Sequence, residues 1–325
     1  MKNTLSKLRN YSAIAILILL TAFPLIAQSN KNAPYVVGKN RFTTLIDGDS
    51  REYYVHVPRK YNEDTKVPVV FMLHGTSGNG EKFYNISGWR QLGEIENIIT
   101  VFPSSWRHCI LEEGNRKNTT KWNVYPGTFE YCKGETPKDD VKFLNAVIDE
   151  LEKKFNVNEK MIYFVGFSNG GQMTARVGVE MSDRVAAVVS ASGMLSAIPP
   201  SKPKRLIPNL FQLGTDDPLF MEIFFEGNPA PMDFEKMFQA SPKMKGILNV
   251  YQQTYQLNPE YKTGGDLNSL IWLENKGATQ QNKSVFRFNL IKGMRHVYPN
   301  GLNFPIYGPR ENWNWLKQFE LPANQ

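Results

Sequence analysis

The chain has 325 residues, 41% hydrophobic and 12% aromatic, which is enough for one large core and ordinary for a single α/β domain. Its formal net charge of +7 comes without a basic helix or an interleaved Arg/aromatic stripe, which argues against a nucleic-acid partner. The 4 histidines and 2 cysteines lack H-x-H, H-E-x-x-H and paired-cysteine spacing, and no P-loop or Rossmann glycine pattern occurs, so neither a metal nor a cofactor is expected.

The chain opens on Lys2, Lys7 and Arg9, followed by an apolar run from Ala13 to Leu20 that continues with breaks to Ala27. Polar Gln28-Ser29-Asn30-Lys31 comes next, with no cysteine at the junction to suggest lipid modification. This pattern predicts a secretory signal peptide over residues 1–27 and an exported product, secreted or periplasmic. A retained membrane anchor is the alternative. The run falls short of the ~20 apolar residues a spanning helix needs, and it contains Pro24, so no stable membrane span is expected after processing. Without its three cations the net charge falls from +7 to +4, a mild excess that suits solubility.

Residues 36–46 and 52–57 read as two strands around Asp47-Gly48-Asp49-Ser50, a strong hairpin signal. Residues 67–73 form an apolar run of buried-strand type that ends in His74-Gly75-Thr76-Ser77-Gly78. Residues 88–96 suit a helix, and residues 98–102 another buried strand closed by Pro103. The stretch 104–137 is polar and reads as irregular. It holds Cys109 and Cys132, and in an exported protein an even cysteine count suggests a pair, with two free buried thiols as the alternative. Val141, Leu144, Val147, Ile148, Leu151 and Phe155 repeat at helical spacing after Lys138-Asp139-Asp140.

Met161-Ile162-Tyr163-Phe164-Val165 is a buried strand leading into Gly166-Phe167-Ser168-Asn169-Gly170-Gly171 and then a helix. This is the G-x-S-x-G pattern in its strand–turn–helix setting, where small neighbours let a serine sit on a sharp turn. Ser168 is therefore the candidate nucleophile, against the plainer reading of a helix N-cap serine. Strands are predicted over 184–190, 206–213 and 284–290, and a terminal helix over 309–319. Strands alternating with helices predict an α/β architecture, a mostly parallel central sheet covered on both faces with an N-terminal antiparallel hairpin, as one domain over residues 28–325. Residues 219–268 break the rhythm, with helices expected over 232–239 and 244–257. Such an insertion after the acid loop serves as a lid-like wall facing substrate or packs on the body. Phe220, Phe224, Phe225, Tyr251 and Tyr255 either line an acyl pocket or pack the insert, and packing is the expectation for most of them.

A serine hydroxyl needs a base to take its proton. Of His56, His74, His108 and His296, only His296 follows Ser168, as the order Ser, acid, His requires. The acid should close the strand before the last one, where Asp216 and Asp217 are both candidates, the other serving as a turn or cap residue. Two N–H donors for an oxyanion are expected from the amides of Asn169 and Thr76, with His74 structural within its loop.

The chain resembles the polyhydroxybutyrate depolymerase and feruloyl esterase group of exported α/β-hydrolases. The resemblance is carried by His74-Gly75-Thr76 with Gly78 and Gly80, Gly88-Trp89, Phe102-Pro103, Trp122-Asn123, Asp139-Asp140-Val141, the serine turn, Gly214-Thr215-Asp216-Asp217-Pro218 and His296-Val297-Tyr298-Pro299. It covers most of the chain after about Arg51 and weakens over 219–277. The family pattern G-T-x-D-P implies Asp217 as the acid. Its G-H-x-W-P is changed here, with Arg295 for the small residue and Tyr298 for the Trp. The resemblance implies hydrolysis of carboxylic esters, either feruloyl or acetyl groups on plant cell-wall polysaccharide or polyester bonds. With no Ser/Thr-rich linker in view, the expectation is carbohydrate-linked acyl esters. A polyester depolymerase, a prolyl-type peptidase and an inactive polysaccharide-binding relative are the rivals. The sequence does not speak to oligomeric state.

Overall fold

Residues 35–322, apart from 198 and 200, are described by the computed structural model, and the predicted leader over 1–27 lies outside them. The expected hairpin pairs β1 (Gly38–Ile46) with β2 (Asp49–Val57). Asp47 and Gly48 take φ of 52° and 87°, the double positive that a two-residue turn needs to match strand twist. Then come β3 (Val67–Leu73), α1 (Gly80–Ile86), α2 (Trp89–Glu96) and β4 (Ile99–Pro103). A second region holds β5 (Arg107–Glu112), β6 (Asn115–Thr120) and β7 (Glu130–Tyr131), followed by α3 (Asp140–Lys154), β8 (Val157–Phe167), α4 (Asn169–Glu180), β9 (Ala187–Ala191) and β10 (Asn209–Gly214). The insert supplies α5 (Pro218–Phe225), α6 (Phe234–Ala240), α7 (Pro242–Thr254), β11 (Lys262–Asp266) and β12 (Leu270–Lys276), before β13 (Val285–Ile291) and α8 (Gly308–Leu316).

The main sheet has ten strands in the order β1-β2-β4-β3-β8-β9-β10-β13-β12-β11. Strands β4 through β13 in that order run parallel, and an antiparallel pair closes each side. Both faces are covered, which is why the parallel strands read as unbroken apolar runs. Their side chains still alternate. Val69, Phe71, Ile162, Phe164, Phe211 and Leu213 pack on the face that carries α3, α4 and the insert. Val70, Met72, Tyr163, Val165 and Leu210 pack on the face that carries α1, α2 and α8. The Phe71 and Phe164 rings stack at 4.2 Å between centroids.

Three expectations need correction. The stretch 104–137 is not irregular: β6-β5-β7 form a small antiparallel sheet. Its second strand, Asn-Arg-Lys-Asn-Thr-Thr, has no apolar residue and so no readable period. The strand before the last one in sequence is β12, since a hairpin, β11–β12, stands between β10 and β13. Lys-Thr-Gly-Gly-Asp in β11 carries no strand signal either. Finally, α1 was unread. Its mark was Asn79, whose side chain accepts from the Lys82 N–H at 2.7 Å as an N-cap.

The insert packs inward. Phe220, Phe225, Tyr251 and Tyr255 are buried, and Tyr251 stacks on Phe286 of β13 at 4.2 Å. Among the described residues no helix is long and apolar enough to cross a membrane.

Cys109 on β5 and Cys132 just past β7 form a disulfide with a sequence separation of 23. Thr119 and Thr120 of the same small sheet hold the loop after β3: Ser77 N–H donates to the Thr120 carbonyl at 2.9 Å, and the Ser77 and Thr119 hydroxyls meet at 2.8 Å. A bridge closing a loop of this size contributes about 3 kcal/mol. Replacing both cysteines by alanine should lower the unfolding free energy by about that amount, read by urea denaturation.

Candidate active site

The turn at Ser168 is built by close approach. Ser168 sits at φ 56°, ψ −123°, a conformation that costs a non-glycine residue about 1–3 kcal/mol. Its N–H donates to the Ala191 carbonyl at 2.8 Å, and its carbonyl accepts from Gln172 N–H at 2.9 Å. A Cβ on Gly166 would stand 2.1 Å from the Gly170 carbonyl oxygen, and one on Gly170 would stand 2.4 Å from that of His74. Only glycine fits at either place. The serine is therefore not an ordinary N-cap: its hydroxyl makes no cap bond to α4 and points instead to His296.

His296 and Asp217 come from loops at the same sheet edge, the carboxyl ends of the parallel strands. His296 Nε2 lies 3.0 Å from Ser168 Oγ, and its Nδ1 lies 2.7 Å from Asp217 Oδ2. A carboxylate only accepts, so Nδ1 carries the proton and Nε2 is left to accept from the serine hydroxyl. Asp217 is fully buried, while the imidazole is 23% exposed. The loops that carry Asp217 and His296 are tied by backbone as well. Thr215 N–H donates to the Ile291 carbonyl at 2.9 Å, Asp216 N–H to that of Met294 at 3.1 Å, and Gly293 N–H to Thr215 Oγ1 at 2.8 Å. Of the two aspartates, Asp216 lies in the turn closed by Asp217 N–H on the Gly214 carbonyl, its side chain accepting from the Thr215 hydroxyl, while Asp217 is both the partner of His296 and the N-cap of α5, its Oδ1 accepting from Leu219 N–H at 3.1 Å.

The loop after β3 reaches the serine: a Cβ on Gly75 would stand 3.2 Å from Ser168 Cβ. His74 is structural, as expected. Its Nδ1–H donates to the Gly75 carbonyl at 2.7 Å, and its Nε2 accepts from Ser105 N–H at 3.0 Å. A residue with no role in the sequence reading links the loop after β3 to the first residue of α4. Trp122 donates from Nε1 to the His74 carbonyl at 2.8 Å, and its backbone exchanges two bonds with the Asn169 side chain, at 2.7 and 3.2 Å. Its mark in the sequence was the Trp122-Asn123 pair, set inside a stretch read as irregular.

Residues 46–301 match the esterase family, described as "Putative esterase". The chain belongs to the esterase family. It is 29% identical over 202 residues to the "Putative esterase NocK" of Nocardia uniformis subsp. tsuyamanensis, a match covering 61% of this chain and 54% of that protein. It is 25% identical over 282 residues to feruloyl esterase B of Piromyces equi, covering 84% of this chain and 46% of that one. This chain thus spans about half the length of these relatives. Among solved structures, an acetyl xylan esterase from Aspergillus awamori superposes with a TM-score of 0.53 at 14% identity, covering 86% of this chain and 99% of that one. At that identity the likeness concerns the fold.

Beside the serine of this esterase-family chain lies a cleft of about 210 Å³, with Phe83, Phe167, Val297 and Tyr298 among its walls and His296 at its base. None of its lining residues comes from 219–268. Tyr298 is buried, and its hydroxyl accepts from Trp89 Nε1 at 2.8 Å and from Asn312 Nδ2 at 3.0 Å. An indole at this position would only donate, whereas the tyrosine hydroxyl supplies an acceptor for two buried donors.

Full burial pushes the His74 imidazole down to about 4, from an ordinary 6.5. The unfolded chain therefore binds one more proton than the folded one between those values. The stability this group contributes is complete above about pH 6.5 and is lost as pH falls toward 4, to the extent of about 3 kcal/mol. Urea denaturation from pH 7 to pH 4 should show a steeper acid loss in the wild type than in His74→Gln, which has no group to titrate there.

Proposed function

We propose that this protein is an exported serine esterase. The reading rests on one observation above all, the alignment Ser168 Oγ–His296 Nε2–Asp217 at 3.0 and 2.7 Å on the carboxyl edge of a parallel sheet. Ser168 Oγ attacks the ester carbonyl carbon while its proton passes to His296 Nε2. The carbonyl oxygen becomes an oxyanion facing the amides of Thr76 and Asn169, the latter in the first turn of α4 where N–H groups lack helical partners. Collapse breaks the ester C–O bond, and the imidazolium returns its proton to the leaving alcohol. Water then attacks the acyl-serine with His296 as base, releasing the carboxylic acid and restoring the hydroxyl. Asp217 holds the tautomer and balances the imidazolium.

For substrate we infer feruloyl or acetyl esters on plant cell-wall polysaccharide. The feruloyl esterase B relative and the acetyl xylan esterase of like fold support this reading. Export is supported by the basic-then-apolar start of the chain and by the Cys109–Cys132 disulfide.

Ser168→Ala should lower kcat on a p-nitrophenyl ester by at least about 10⁴-fold and abolish fluorophosphonate labelling, with an unchanged melting curve. Asp217→Asn keeps an oxygen for the α5 cap but loses the carboxylate, and should lower kcat by about 10⁴-fold. Retained turnover in the serine variant would refute the assignment. A panel of methyl ferulate, acetylated xylan, hydroxybutyrate oligomers and peptide anilides tests the substrate, with the highest kcat/KM expected on one of the first two.

A further inference from the structure

The cleft beside Ser168 is mostly apolar or neutral, and among the described residues Lys82 is the only lysine or arginine that lines it. No described Asp or Glu lines it. Lys82 is exposed on α1, its backbone fixed by the Asn79 cap, while its neighbour Phe83 turns inward as a wall. Its acidic neighbour on α1, Glu81, is committed elsewhere, to Lys39. Among the described residues no ion pair engages the Lys82 ammonium. Its charge is nevertheless felt inside the loop after β3, where it helps to disfavour protonation of His74.

A lone cation on an apolar cleft gains most from an anionic guest, because low-dielectric walls focus its field into the space the substrate enters. We propose that Lys82 is a specificity-determining residue that selects esters bearing a carboxylate close to the reacting ester bond. This inference rests on the serine-esterase reading and extends it to the charge of the substrate. The carboxylate sits on the acyl part, as in a half-ester of a diacid, or on the alcohol part, as in an ester borne by an acidic sugar. In both cases the Lys82 ammonium takes the carboxylate while the carbonyl faces Ser168.

The test compares charged esters with neutral partners of the same shape. Monomethyl glutarate against its primary amide probes the acyl side, and para-acetoxybenzoate against para-acetoxybenzamide probes the alcohol side. In at least one pair the charged-to-neutral ratio of kcat/KM should fall about five- to tenfold in Lys82→Gln. The loss should lie mainly in KM and grow in Lys82→Glu. Added NaCl should lower the same ratio in the wild type but not in Lys82→Gln. Equal ratios in the wild type and both variants, on both pairs, would overturn the proposal. So would an equal loss of kcat on charged and neutral esters, which would mark Lys82 as a general support of the oxyanion. A wild type that turns over none of the four esters would bring down the esterase reading, and this inference with it. Turnover of the neutral esters with an unmoving ratio would sink the lysine alone.

Discussion

The fold is arranged around a backbone that one residue would not adopt by itself. At φ 56° Ser168 is strained, and it stays there because every escape is blocked. Its N–H is held by the end of β9, its carbonyl by the first turn of α4, and the chain on either side runs too close to other backbone for a side chain to intervene. Those contacts need β3, β8 and β9 to lie side by side and parallel, with α4 packed directly against them. The apolar burial that fixes the sheet therefore also supplies the energy that holds the turn.

A buried polar chain carries the same rigidity outward. Arg51 on β2 meets Asp140 at 2.6 Å with both side chains out of solvent, and the guanidinium lies 4.1 Å over the Phe143 ring. The other Asp140 oxygen accepts from Asn123 N–H at 2.7 Å. Asn123 adjoins Trp122, and Trp122 bonds both to the carbonyl of His74 and to the side chain of Asn169. A buried ion pair is weak evidence for net stability, since desolvating both charges offsets most of their attraction. Its value here is positional: it anchors the loop that bonds both to the His74 carbonyl and to the Asn169 side chain. The disulfide-stapled small sheet does the same from the other side, through Thr119 and Thr120.

The sequence was legible where function and burial impose pattern. The parallel strands announced themselves as apolar runs because both of their faces are covered, and the serine turn did so because its glycines are sterically obligatory. His296 could be assigned from chain order once Ser168 was accepted. What stayed hidden were elements held by their neighbours and not by their own composition. β6 and β11 contain no large apolar residue, and they form because a paired backbone satisfies its hydrogen bonds whatever side chains it carries. The bracing by Trp122 was invisible for a related reason. It links residues 48 positions apart in one direction and 47 in the other, and no local period records such a contact. Lys82 looked like any surface lysine until the cleft wall around it was in place.

The insert shows why a long addition leaves the alignment of Ser168, His296 and Asp217 intact. Asp217 serves two partners: one oxygen takes His296, and the other caps α5 and so sets the direction in which the chain leaves the sheet. Thr215 and Asp216 are already locked to the loop after β13, so the carboxylate is placed before the insert begins. The insert can lengthen without moving Asp217, provided that it buries itself. Phe220, Phe225, Tyr251 and Tyr255 accomplish that against the sheet. The cleft beside the serine draws its walls instead from the loop after β3, α1, the serine turn and the loop after β13. In this arrangement the charge and shape of the cleft can change through residues such as Lys82 and Tyr298, while the alignment of Ser168, His296 and Asp217 is left to backbone contacts that those side chains do not make.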